Sequence, residues 1–319
     1  MLVSRRPRKN AKLVRRPMGA ESSTRRKVPA SPRSVLVATD GSRPASAAVK
    51  LTRIMAADHA WAPRIITVSL PLPVSVGDVA LPMPPAGLEQ VVNDSLVARI
   101  RQQLKRYGDA AWELRLEFGR PAPVIVEVAK RHQASLVVLG LGEHGLIGRM
   151  FGAETAAYVA RHATVPVLAV HRRAWSRPQV ALAAVDFSDA SVRAAREALA
   201  LLEPPGRLHL VHVKWSYNAS SIADSAWENA YAAGADAEFA KLSAKLGAHP
   251  GIEITTSLLT GGVVDKLLHE AKSVRAELIA LGSHNASIIE RMMIGSTPAE
   301  VLRAAPCSVL IAPPAHATP

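Results

Sequence analysis

A single cysteine, Cys307, stands in the 319 residues. One thiol cannot build an internal disulfide framework, and such usage suits a reducing compartment. At the head of an apolar run, Cys307 reads as a small buried hydrophobe rather than a reactive thiol. No apolar run approaches the roughly 20 residues that a membrane-crossing helix needs, so the expectation is a cytoplasmic protein with no membrane partner. No G-x-x-x-x-G-K-[ST] string occurs, which argues against a Walker-type ATPase. Residues 1–33 are poor in acid and in apolar runs alike. They hold eleven Lys or Arg against Glu21 alone, and their apolar residues Leu2-Val3 and Leu13-Val14 are isolated pairs, too short for the core of a secretory signal.

That tail accounts for +10 of the net charge of +13, which leaves +3 for everything after it. Without apolar periodicity, residues 1–33 are expected to be disordered. Such a tail could hold nucleic acid or an anionic surface through phosphate contacts. The alternatives are a solvated extension, or a true start at Met18.

What remains is ordinary globular material. With 49% apolar and 20% charged residues, it is long enough for two domains. Short apolar runs alternate with helical periodicity. Ser34–Asp40 reads as a buried strand, 45–60 as a helix, and Arg64–Leu70 as a strand. Pro71–Gly87, with five prolines, reads as a long loop. A helix over Leu88–Gly108, a strand over Trp112–Phe118, a helix over Val124–His132, a strand over Leu136–Leu139, a helix over Thr155–His162 and a strand over Val165–Val170 complete the series. This β-α alternation predicts a doubly wound, mostly parallel sheet.

The pattern then begins again. Gly119–Val170 aligns without a gap on Gly261–Ala312, at one constant offset throughout. Asp40, at the end of the first strand, pairs with Asp186 at a slightly larger offset, the difference being loop length. The chain is therefore read as a tandem α/β duplication, with domains at 34–171 and 178–313 and a linker over His171–Pro178. Val167–Val170 and Val309–Ala312 could pair inside one chain and so cover two sheet edges.

The stretch Leu278–Val301 carries the chemistry. A buried strand stops at Gly282, and a helix opens near Gly295-Ser296, with Thr297 as N-cap, Pro298 in the first turn and Glu300 closing a capping box. Backbone N–H groups at the positive end of a helix can hold an anion, most often a phosphate. Gly282, two residues, Asn285, nine residues and then Gly295-Ser296 resembles the ATP-binding loop of the universal stress protein family. Gly282-Ser283-His284 and the run Arg303–Ile311 resemble that family's flanking text.

The resemblance implies tandem five-stranded sheets of the adenine-nucleotide alpha-hydrolase-like or flavodoxin-like kind. It implies ATP as ligand, with Mg2+, and a stress-response regulator rather than a metabolic enzyme; any hydrolysis would be slow and incidental. It places Asp186 near the adenosine end, the Val213 backbone near adenine, and Gly282, Gly295 and Ser296 around the phosphates, with Thr297 as a further hydroxyl donor. Asn285 stands where the family's binders have a second glycine, and its side chain could crowd a phosphate. If so, the chain is a nucleotide-free interaction module of the same fold, acting through an unknown protein partner. The family also pairs through its last strand, which leaves room for a homodimer.

In the first half the aligned positions are Gly140, Glu143, Ala153 and Glu154. Two carboxylates at a phosphate site repel, so that half is expected to have lost the nucleotide, with Asp40 capping the turn at Gly41-Ser42. Gly140-Leu141-Gly142-Glu143-His144-Gly145 fits the dinucleotide fingerprint, which would make the chain a dinucleotide-dependent enzyme. It follows the fourth strand rather than the first, and no acidic residue appears over 156–166 to hold a ribose. Arg149 and Arg291 could reach a phosphate, with solvated or ion-paired side chains as the alternative, and His284 reads as structural. His209 and His212 lie three apart on a strand and point to opposite faces, so they share no metal. No tightly bound metal is expected, and no nucleophile–base–orienter set emerges.

Overall fold

The computed structural model describes residues 32–59, 61–70, 75–76, 79–80, 87–142, 152–214, 222–283 and 296–314. Near-continuous apolar runs such as Val35–Ala38 form strands covered on both faces, as parallel sheets require. The first half runs β1 (Arg33–Ala38), α1 (Arg43–His59), β2 (Trp61–Ser69), β3 (Ser75–Val76), β4 (Val79–Ala80), α2 (Leu88–Tyr107), β5 (Leu114–Phe118), α3 (Pro121–Arg131), β6 (Leu136–Leu141), α4 (Ala153–His162) and β7 (Val167–His171). The second runs β8 (Val180–Ala184), α5 (Asp189–Leu201), β9 (Gly206–Lys214), α6 (Ile222–Leu246), β10 (Ile252–Thr260), α7 (Val263–Ser273), β11 (Leu278–Gly282), α8 (Ser296–Ala304) and β12 (Ser308–Ala312).

Ten strands form one sheet in the order β10-β9-β8-β11-β12-β7-β6-β1-β2-β5. Each half contributes five parallel strands, and the order reverses direction between β1 and β6 and again between β8 and β11. Those reversals are the switch points where an open α/β sheet leaves a crevice. The halves meet where β12 lies antiparallel to β7, with Leu310 opposite Leu168 and Val309 opposite Ala169.

Alternation along the strands sends Val35 and Val37 to one face and Leu36 and Ala38 to the other. Helices α1, α2, α5 and α6 cover the first face, and α3, α4, α7 and α8 the second. Each core runs unbroken through the junction, because Leu168 and Leu310 belong to one and Val167 and Val309 to the other.

Four local readings change. The proline-rich stretch expected as plain loop contains the paired strands β3 and β4. Strands β1 and β8 stop two residues before Asp40 and Asp186, because the chain turns there on the aspartate side chains. Helix α4 starts at Ala153 with extended Gly152 as its N-cap, rather than at Thr155. Helix α8 starts at Ser296, so Thr297 lies inside the first turn and not at the cap. Pro298 remains within that turn, where its missing N–H costs nothing. The basic tail lies outside the described residues.

Candidate functional site

The crevice of the second half is a cleft of about 230 Å³, lined by Asp186, Ser191, His212, Val213, Gly282 and Thr297 among others. Strand β8 ends at Ala184, and Val185 makes one more rung by donating to the Val211 carbonyl at 2.8 Å. Peptide groups of successive strand residues face alternate sides. Val213 therefore turns its N–H and C=O to the same side as Val211, past the end of β8 and into the cleft. That peptide edge offers one donor and one acceptor side by side, the pattern that reads a purine's amidine edge.

Asp186 is exposed at the mouth. Its Oδ1 accepts from the Ser188 N–H at 3.1 Å and from the Ser188 hydroxyl at 2.6 Å, which fixes the carboxylate over the turn. Ser188 in turn caps α5 by accepting from the Ser191 N–H at 3.3 Å. Between them Phe187 sits at φ 63°, in the left-handed region, a conformation that costs a bulky residue on the order of 1–2 kcal/mol. The corresponding residue of the first half is Gly41, at φ 75°. Phe187 keeps its strained backbone while its ring packs 5.0 Å from His212 and 5.4 Å from Phe239.

His212 lies 2.7 Å from the Val185 carbonyl through Nδ1 and 2.8 Å from the Tyr231 hydroxyl through Nε2. The carbonyl can only accept, so Nδ1 carries the proton and a neutral ring accepts from Tyr231 at Nε2. Trp227 stands 5.4 Å from Tyr231, and Lys214 spans both rings at 5.9 and 5.5 Å while pairing with Glu228. Phe187, His212, Tyr231 and Trp227 thus form one chain of ring contacts, of which His212 lines the cleft beside Val213. On the other face, His209 bonds Thr255 and Glu270, so the two histidines have separate partners.

The far end of the cleft is closed by Gly282 and by Thr297 and Pro298 in the first turn of α8. Gly282 has a second reason to be glycine. A Cβ there would stand 2.6 Å from the Ser191 nitrogen, at the start of α5.

The corresponding end of the first half is built differently. Thr39 donates to Gln103 Oε1 at 2.6 Å, and Gln103 Nε2 donates to Ser46 Oγ at 2.8 Å and to the Ser42 carbonyl at 3.2 Å. Arg99 donates to the Asp40 carbonyl at 3.1 Å. Side chains of α2 therefore hold the end of β1. Asp40 is buried, accepting from the Ser42 N–H at 2.9 Å. The sequence reading overlooked Gln103, although a polar residue seven after Leu96 lies on the apolar stripe of α2, and that misfit was the available signal. Glu154, expected to repel a phosphate at the start of α4, is instead ion-paired: Arg303 of α8 donates to it at 2.7 Å across the junction.

The universal stress protein family profile matches residues 32–171 and again 179–313. The chain belongs to the universal stress protein family. Curated universal stress proteins of Mycobacterium tuberculosis and Mycobacterium bovis are 26% identical over 203 residues, covering 62% of this chain and 67% of their own length. A crystal structure of a universal stress protein from Archaeoglobus fulgidus superposes with TM-score 0.59 at 18% identity, covering 88% of this chain and 98% of that one. A functionally unknown protein from Pseudomonas aeruginosa PAO1 gives 0.57 at 15% identity, over 89% and 93%. At those identities the two structures speak to the fold alone.

Of the site residues read from this universal stress protein's sequence, Asp186, Val213, Gly282 and Thr297 come together around one cleft. Ser296 opens the helix beside it. Asp40 and Gly140 lie in the other half, where a Cβ on Gly140 would meet the Ala45 nitrogen at 2.5 Å. Asn285, Arg291, Gly295, Glu143, Arg149 and His284 lie outside the described residues. Among the described residues no group of three or more His, Cys, Asp or Glu is placed to hold a metal, and no helix is long and apolar enough to cross a membrane.

Proposed function

We propose that the second half binds an adenine nucleotide, ATP foremost with its Mg2+, and that the chain serves stress survival as a nucleotide-dependent regulator in the cytoplasm. The observation that carries this reading is the Val213 peptide edge, which faces a cleft with Asp186 at one end and the first turn of α8 at the other. A purine has a donor–acceptor pair to meet there and the His212 ring in the same wall. A ribose has the Asp186 carboxylate, and phosphates have the positive end of α8. Thr297, inside that turn, keeps its hydroxyl for a phosphate oxygen. The first half, whose strand end is held by Gln103 and Arg99, acts as structural partner. Turnover is at most slow and incidental, and a homodimer or another protein would receive the signal.

Calorimetric titration with Mg-ATP tests this. Asp186→Ala, at an exposed position, is expected to weaken binding about tenfold or more, as loss of a charged hydrogen-bond acceptor does. Gly295→Glu, which places a carboxylate against phosphate, is expected to abolish it.

A second reading is favoured by Asn285, the residue that replaces a glycine in the phosphate loop. If its side chain occupies the phosphate position, the same fold is a nucleotide-free interaction module. No Mg-ATP heat in the unmodified chain, with heat restored by Asn285→Gly, would decide for that reading.

A further inference from the structure

On the second face the junction of the two halves is closed by helices, where α4 packs against α8. On the first face a cavity of about 220 Å³ remains between the linker and the sheet. Its apolar floor draws on both halves: Leu51 and Met55 of α1, Leu168 of β7, Leu201 of α5 and Leu278 of β11. All five belong to the core of that face. The linker is fixed beside them at two points. Trp175 packs 5.4 Å from Tyr107 of α2, with the Lys50 ammonium of α1 over its ring at 5.3 Å. Arg177, with a side chain only 6% exposed, donates to the carbonyls of Leu201 and Leu202 and pairs with Asp58 and Glu203.

The polar groups of the wall are engaged with the protein itself. Arg177 is surrounded by those acceptors. The His171 N–H donates to Ser308 Oγ at 3.1 Å, and His171 Nδ1 accepts from the Arg173 N–H at 3.3 Å. Glu277 accepts from the Gln179 N–H at 2.6 Å and, like Arg173, is exposed, so the rim carries one charge of each sign. An ion inside would meet no uncommitted countercharge, and burying an unpaired charge is costly. Two sulfur-bearing side chains, Met55 and Cys307, also belong to the wall. Burial pushes the Cys307 thiol up to about 12, so it stays protonated and uncharged. The cavity is separate from the nucleotide cleft. It meets β11 at Leu278 and the cleft meets it at Gly282, about 13 Å away along the strand.

We infer that this cavity binds a neutral aromatic molecule about the size of two fused rings, held between the halves. An apolar cavity of about 150 Å³ holds a single benzene ring, and this one, at about 220 Å³, has room for a second ring. The four leucines supply apolar contact, and a thioether such as that of Met55 makes favourable contacts with the edge of an aromatic ring. A ring N–H or O–H turned to the rim has the Glu277 carboxylate as acceptor.

The test is calorimetric titration of the full chain with indole and with its charged counterpart indole-3-carboxylate, together with NMR of the methionine methyl groups. Indole is expected to bind at least tenfold more tightly than the carboxylate. Ala174→Leu, which fills the cavity from the linker side, should weaken indole binding at least tenfold. In the unmodified chain, saturating indole should move the Met55 methyl resonance, assigned by its loss in Met55→Leu, and leave the other methionine methyls in place. That second measurement holds even if the filled variant folds poorly. No heat and no Met55 shift in the unmodified chain would overturn the proposal, as would undiminished affinity in a folded Ala174→Leu chain. Equal or tighter binding of the carboxylate would overturn the assignment to a neutral ligand. Competition by Mg-ATP would move indole to the nucleotide cleft and overturn the proposal equally. Failure of ATP to bind, with the indole effects intact, would count against the nucleotide reading and not against this one.

Discussion

Gly282 lies against Ser191 so closely that a Cβ would stand 2.6 Å from the serine nitrogen, with the Ala190 carbonyl carbon at 2.7 Å. Both atoms are backbone and cannot rotate away. A glycine that sequence pattern assigns to phosphate binding is thus needed to seat α5 on β11. Gly282→Ala should destabilise the fold by about 1–3 kcal/mol or more, the range for overpacking, and Gly140→Ala, 2.5 Å from the Ala45 nitrogen, should do the same. Gly152→Ala is the control, because nothing stands within 4 Å of its Cβ position. Urea unfolding of the three variants checks this. A Gly282→Ala chain as stable as the parent would return that residue to a purely ligand-facing role.

Much of this architecture is legible in the chain because apolar runs such as Val35–Ala38 and Leu278–Leu281 are short, uninterrupted and evenly spaced. The gapless match of Gly119–Val170 to Gly261–Ala312 then fixes which strand corresponds to which. What stays hidden depends on contacts between distant segments. Nothing near Gly282 in sequence announces that Ser191 passes over it. Glu154 looks like an uncompensated charge until Arg303, 149 residues away, is seen to reach it. Helix starts shift by two residues at Ala153 and at Ser296; at Ala153 the extended Gly152 serves as cap in place of the residues that follow.

Gln103 joins Thr39, Ser42 and Ser46 in one buried network, being 5% exposed itself. Gln103→Ala takes away the acceptor of the Thr39 hydroxyl and opens a void, while Ser46 keeps its bond to the Ser42 carbonyl, so a loss of about 2–4 kcal/mol is expected. Gln103→Glu should also destabilise, since its carboxylate cannot donate to the Ser42 carbonyl unless it is protonated. Chemical denaturation measures both. A Gln103→Ala loss no larger than the about 0.5 kcal/mol of an ordinary surface substitution would mean that water replaces the side chain.

Leu168 faces Leu310 at the centre of the β7–β12 pair, and both are within 1% of full burial. Residues 32–171 alone would expose the β7 edge and the apolar side chains around Leu168. Because β7 pairs antiparallel with its own repeat, two copies can pair about the same axis. Light scattering on the isolated first half should therefore show a dimer, and Leu168→Lys should return it to monomer or unfold it. A monomeric parent half would show that the edge is tolerated without a partner.

His132 receives a hydrogen bond at Nδ1 from Arg64, at 2.7 Å. Burial holds its pKa below the ordinary value of 6.5, and Arg64, Arg115 and Arg131 lower it further against the opposing pull of Glu113. The unfolded chain therefore binds this proton more readily than the folded one. Stability is unaffected well above pH 6.5 and is lost as pH falls through that value toward the folded pKa. NMR titration of the His132 ring should show a midpoint below 6.5. His132→Gln should also flatten the decline in stability between about pH 7 and 5; an unchanged slope would place the acid sensitivity elsewhere.

Rotation about the Leu168–Leu310 pair relates the halves, and it maps the Arg303–Glu154 contact onto Arg161 and Ser296. Arg161 is exposed at the end of α4, so by this symmetry it stands across the junction from the first residue of α8. In the first half the equivalent helix start carries Glu154, which takes the arginine for itself. The second half has a serine there, leaving a cation from the first half beside the positive end of a helix. Such a pairing favours an anion between them. Arg161→Ala should weaken Mg-ATP binding by about tenfold and change unfolding free energy by no more than about 0.5 kcal/mol, as a surface substitution does. Arg161→Lys should recover part of the affinity, keeping the charge and losing the fork. Equal affinity in all three chains would show that the first half lends the nucleotide cleft no charge.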